Sequence, residues 1–230
     1  MVRSGMSRGG KVVLVLAFML AGGALLPWAL REGGVAAGLS TVLTGEEVSV
    51  EESAQRARAV QLLKEGNYGE AYDIFHRLLT APARDARAVC EDLPYAWECL
   101  ARLNRMDEID ALIEQSVEAQ AGNWRFLVAA AELYRQLPHQ GFLIAGEYRR
   151  GPHRGGGEVA NSFQRDRVRA LQLMRQAMPA ADQDDNRAEA AGFYLRFAQM
   201  WLEGAGGVEA WRLGALTDLE TLPDYEQGWG

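Results

Sequence analysis

The chain has 230 residues, 48% of them hydrophobic and 24% charged, and a net charge of -7. That composition excludes wholesale disorder and leaves enough apolar side chain for about one folded domain behind an export segment. The acidic balance excludes nucleic acid as a partner, because neutralising phosphates requires a basic surface.

Val12 to Leu30 is an apolar, charge-free run of nineteen residues preceded by Arg3, Arg8 and Lys11. The pattern predicts an exported chain, with residues 1–37 acting as a signal peptide cleaved near Val35-Ala36-Ala37 or as an uncleaved anchor spanning the inner membrane through residues 12–30. The destination is then the periplasm or cell envelope, with a membrane contact only if the segment is retained. No cysteine lies near the run, which excludes a lipidated N-terminal cysteine. Residues 38–50 show no helical period and read as a linker.

Periodicity takes over near Val50. Ala54, Ala57, Val60 and Leu63 outline one amphipathic helix, and Ala71, Ile74, Phe75, Leu78 and Leu79 a second, joined by a turn at Gly66-Asn67. The phrase from Leu62 to Ala71, with Phe75 and Leu78-Leu79 after it, resembles the tetratricopeptide repeat, a helix-turn-helix unit. In that register Gly66 closes the turn, Tyr68 covers it, the small Ala71 allows close helix approach and Phe75 fills the groove between units. The phrase returns 38 residues on, with Asn104, Met106, Glu108 and Ile109 in the places of Gly66, Tyr68, Glu70 and Ala71. A second helix pair follows through Ala96, Cys99, Leu100 and Leu103, then Ile109, Leu112, Ile113 and Val117. Trp124, Leu127, Val128, Ala131 and Tyr134 open a third, stopped by Pro138. Residues 51–140 are therefore expected to be tetratricopeptide-like helix pairs.

Residues 141–161 are too rich in glycine for a helix pair and read as a long Gly/Arg-rich loop, with room for an extended stretch at Phe142 to Ala145. Residues 162–230 resume the helix pairs. Asn161 and Gln164 form a capping box for one helix, and Asn186 and Glu189 cap the next, which turns Ala190, Tyr194, Phe197, Ala198 and Trp201 inward. A last helix carries Val208, Trp211, Ala215 and Leu219. The expected fold is all-α, a tetratricopeptide-like α-solenoid of about eight helices.

Chemistry-bearing residues are sparse. His76, His139 and His153 lack metal-binding spacing, and no Gly-x-Ser-x-Gly turn is present, so neither a metal, a cofactor nor an enzymatic site is expected. The acidic groups Asp107/Glu108/Asp110 and Asp182/Asp184/Asp185 read as solvated charges at helix starts. Trp97, Trp124, Trp201 and Trp211 read as core filling. Pro94 is expected to start a new helix between Cys90 and Cys99, which would allow a bridge, but two buried free thiols are the favoured reading. The segment Gly146 to Gly157, followed by Arg165, Arg167 and Arg169, is basic within an acidic protein. Arg149, Arg150, His153, Arg154, Arg165 and Arg167 could bind an anion, but no phosphate-loop motif is present. The favoured reading is that these arginines tie down carboxylates, within the chain or across a domain contact.

The strings Gly141-Phe142-Leu143-Ile144-Ala145-Gly146, Arg150-Gly151-Pro152-His153-Arg154-Gly155-Gly156-Gly157, Asn161-Ser162-Phe163, Arg165 to Met174 and Ala210-Trp211-Arg212-Leu213 together resemble the N-terminal helical region of large bacterial alpha-2-macroglobulin-like proteins, over roughly residues 55–230. The resemblance implies a long exported protein whose later β-sandwich domains trap or inhibit proteases, this chain being a non-catalytic scaffold and a piece of the longer polypeptide. Its partners would be those downstream domains or another protein, and proteases only through the downstream part. The family's thioester motif is not matched, since Cys90 precedes Glu91-Asp92-Leu93 and Cys99 precedes Leu100-Ala101-Arg102. The rival reading is a free-standing periplasmic adaptor that binds a protein or peptide.

Overall fold

The computed structural model describes residues 45–82, 85–203 and 218–228. The expected signal or anchor segment and most of the eighth expected helix lie outside these residues. Within them the chain forms seven α-helices: α1 (Gly45–Lys64), α2 (Tyr68–Thr80), α3 (Ala88–Arg102), α4 (Ile109–Ala119), α5 (Trp124–Gln136), α6 (Phe163–Asp182) and α7 (Arg187–Leu202). A small sheet of β1 (Gln140–Ile144), β2 (Glu147–Arg150), β3 (Glu158–Asn161) and β4 (Glu226–Gln227) interrupts the helical series.

The two turns singled out by the repeat register have the same backbone geometry. At the end of α1 the Asn67 N-H donates to Leu62 O and the Gly66 N-H to Leu63 O; at the end of α3 Arg105 donates to Leu100 O and Asn104 to Ala101 O. Both are Schellman ends, in which a left-handed residue satisfies the orphan carbonyls of the last turn. Gly66 has φ +84 and Asn104 φ +58. Glycine adopts that conformation without strain, and asparagine tolerates it because its short polar side chain bonds locally.

Packing follows the apolar stripes. Ala71 and Phe75 on α2 are fully buried, and the Phe75 ring stacks on Tyr95 of α3 at 5.5 Å. α2 packs between α1 and α3, α3 also meets α5, and α5 lies along α6. Gln120, 5% exposed at the end of α4, donates to the Leu79 and Ala81 carbonyls. One side chain thereby satisfies the end of α2, which has no further turn to bond to.

Several expectations are corrected. The chain is mostly helical but not all-α, because residues 141–161 build three strands in place of a loop. Ile144-Ala145-Gly146-Glu147 is a two-residue hairpin with φ +52 and +85 at its centre, the pattern of a type I′ turn whose twist suits paired strands. β3 pairs with the other edge of β1, and β4 with β3, all antiparallel, in the order β2-β1-β3-β4. The linker shrinks as well, since α1 starts at Gly45. Asn161 ends β3 instead of capping α6; Ser162 takes the cap position, and Asn161 Oδ1 accepts from the Phe163 N-H at 2.7 Å.

Pro94 sits inside α3 and faces solvent, while Val89, Leu93, Ala96 and Leu100 carry one buried stripe through it. Cys90 and Cys99 therefore share one helix, about 13 Å apart by helical rise, and both are free thiols. On α7 the buried residues are Ala190, Phe193 and Met200, whereas Tyr194 and Ala198 are exposed. The run Phe193-Tyr194-Leu195 is apolar all round the helix, so spacing alone does not fix its phase. Polarity does, because the Tyr194 hydroxyl donates to Asp182 at 2.5 Å on the solvent side.

Candidate functional site

Two clusters of polar side chains among the described residues are candidate sites. The first is a buried network centred on Arg150, the last residue of β2, which is 3% exposed. Strand alternation turns Arg150 and Tyr148 toward the helices and Arg149 the other way. The Arg150 guanidinium reaches Asp110 at the start of α4 through Nε (3.0 Å) and Nη2 (2.7 Å), and Asp166 in the first turns of α6 through Nη1 (2.8 Å) and Nη2 (3.0 Å). Nη1 also donates to Pro138 O at 2.7 Å and to Ser162 Oγ at 3.0 Å. His139 Nδ1 lies 2.8 Å from Asp166 Oδ2, and Tyr148 donates its hydroxyl to His139 O at 2.7 Å.

This is a fork-shaped cation holding two carboxylates from two helices, the geometry for which arginine is suited and lysine is not. Burial alone would raise the Asp166 pKa, but hydrogen bonds from His139, Arg150 and Ser162 outweigh it and hold the carboxyl below its usual range. Serine, histidine and aspartate are all present, yet the Ser162 hydroxyl lies 2.6 Å from Asp166 Oδ2 and is fully buried. The serine bonds the carboxylate and not the imidazole, which is not the order that activates a nucleophile.

The second place is a groove of about 480 Å³ lined by α3, α5 and α7. Small residues, Ala129 on α5 and Gly192 on α7, keep its floor low, and Arg196 stands at its side. Its rim is fixed by charge. Arg125 donates to Glu189 at 2.9 and 2.7 Å and lies 2.8 Å from Asp184, and Arg87 donates to Glu189 at 2.8 Å. The Trp124 indole N-H donates to Asp184 at 2.9 Å; this bond and the Asn186 N-H draw the Asp184 pKa down to about 2. Cys90 lies in the groove wall, and burial pushes its thiol up to about 11, so it is a poor nucleophile at neutral pH.

The six basic residues read from sequence thus separate. Arg150 enters the buried network. Arg165 donates to Pro223 O at 2.8 Å and stacks over Tyr225 at 4.7 Å, while Arg167 donates to the Glu203 and Trp201 carbonyls at the end of α7. Arg149, His153 and Arg154 stay together at the hairpin and line a hollow of their own. The sequence reading missed Asp110, Asp166, Ser162 and Glu114, the last of which takes a bidentate pair from Arg169 and a hydroxyl bond from Tyr134. Asp110 and Asp184, expected as solvated charges at helix starts, each accept an arginine; only the fold brings those partners close. Among the described residues no group of three or more histidine, cysteine or acidic side chains could hold a metal ion, and no helix is long and apolar enough to cross a membrane.

No protein-family model, curated protein or solved structure matches the chain.

Proposed function

We propose that this chain is a non-catalytic, tetratricopeptide-like helical scaffold, exported to the cell envelope, that serves as the N-terminal region of an alpha-2-macroglobulin-like protease inhibitor. The observation that carries the scaffold reading is the recurrence of one helix end 38 residues apart, at Gly66 and at Asn104, with the same pair of backbone hydrogen bonds. The helix end recurs, although a 3-10 turn at Met106–Glu108 precedes α4 where α2 begins directly at Tyr68. In the repeat reading, stacked pairs bury a continuous core while leaving one face open. The macroglobulin assignment rests on the resemblance of the strings between Gly141 and Leu213. It places the target protease with downstream domains and leaves this region to hold them.

Sequencing the transcript beyond the Gly230 codon tests this assignment. An in-frame stretch coding for β-sandwich domains is expected, and an immediate stop codon would remove the inhibitor reading. The groove between α3, α5 and α7 favours a second reading, a periplasmic adaptor that holds a peptide there.

A further inference from the structure

The hairpin carries a feature that the scaffold's packing does not use. Arg149 and Arg154 are exposed and pair with no carboxylate among the described residues, although most of the other arginines do. With His153 they line a hollow of about 600 Å³ whose one acidic wall residue is Asp107. Beyond Pro152 and His153 the surface opens into a second hollow of about 390 Å³, floored by Phe142 and walled by Pro138 and Pro152. The His153 ring rests 5.9 Å from the Phe142 ring and belongs to both hollows.

From this juxtaposition we infer that the β1–β2 hairpin and the segment after it form a docking surface for an acidic polypeptide segment that carries an apolar side chain next to a carboxylate. The inference deepens the scaffold reading by naming the chemistry of a partner. Two unpaired guanidinium groups on a protein of net charge -7 form a local positive field, which selects a negative partner. The adjoining hollow of proline and phenylalanine has no use for a simple anion such as phosphate. A peptide fills both, its carboxylate on Arg149 and Arg154 and its neighbouring apolar side chain against Phe142. Arginine at an exposed position also gives bidentate, directional recognition of a carboxylate.

The test pans random displayed octapeptides against the full chain held in a non-ionic detergent, and measures the enriched peptides by calorimetry. Enrichment of aspartate or glutamate beside an apolar residue is expected. Affinity should drop at least about tenfold on R149E/R154E, and less on R149Q/R154Q, with unchanged circular dichroism in both. Millimolar inorganic phosphate should not compete. Recovery of no peptide, of peptides without acids, or of peptides displaced by phosphate would overturn the inference. Peptides that ignore R149E/R154E but are lost on Gly192→Trp would overturn it too while leaving the scaffold intact. That substitution fills the groove between α3, α5 and α7, where an added Cβ meets nothing within 4 Å beyond the helix's own backbone and chain neighbours.

Discussion

Replacing Arg150 by methionine keeps a long, unbranched side chain in the site and removes the cation. Asp166, with a side chain 4% exposed, would remain charged with only His139 and Ser162 to hold it, and Asp110 would lose both of its bonds. Removing one partner from a buried ion pair destabilises by about 3–5 kcal/mol, because the remaining charge is desolvated without compensation. For a domain of this size each kcal/mol shifts the unfolding midpoint by about 2–4 °C, so a fall of about 6–20 °C at pH 7 is expected in a calorimetric melt. Adding Asp166→Asn should recover part of the loss, since it removes the stranded charge. The pH dependence has a definite sign. The Asp166 pKa is lower in the folded chain than in the unfolded one, so its contribution is present above about pH 4 and is lost as the pH falls through the folded value. R150M should lose much of that acid sensitivity. A midpoint within 2 °C of the parent, by about the same conversion, would refute the idea that this network holds the helices and sheet together.

Two further outcomes follow from local geometry. Ala145 has φ +52 in the hairpin turn, where a side chain is strained, so Ala145→Gly should stabilise by about 1 kcal/mol in urea titration; destabilisation would show that the turn is held some other way. Asp92, 2% exposed and 2.8 Å from Arg56, has its pKa pushed up to about 6 because burial outweighs the hydrogen bond from Arg56. The folded value lies above the unfolded one, so Asp92's contribution is fully present below about pH 4 and is lost as the pH rises through about 6. Carboxyl carbon NMR should find its midpoint there, and one below 4 would mean that the ion pair dominates.

What the sequence made legible was whatever a local rule controls. The helix stripes, the Gly66 turn, its return at Asn104, the end of α5 before Pro138 and the Asn186 cap of α7, whose side chain accepts from the Glu189 N-H, all depend on residues within a few positions of one another. The hairpin is local too, since an apolar triplet, Ala-Gly and an alternating Glu-Tyr-Arg is a strand-turn-strand phrase, but the density of glycines around it is also that of a loop. The phase of α7 was ambiguous because apolar residues surround it. The partners of Arg150 could not be read at all. Asp110 lies 40 positions before it and Asp166 sixteen after, and nothing in either neighbourhood marks them as different from the other acids of the chain.

The buried guanidinium also bears on how the chain folds. Helix pairs such as α1–α2 close over short separations and can form quickly and independently, and an ordinary repeat array can then unravel from its ends. The Arg150 guanidinium takes its partners from residues 110, 138, 162 and 166, so its full set of bonds exists only when all four are in place. It is dry only after α4, α6 and the hairpin have met. The transition from a loosely collapsed chain to the native one is therefore expected to end with that closure, and opening at α4 should be kinetically coupled to opening at α6. A protein assembled from repeating pieces would then unfold across this region as one unit.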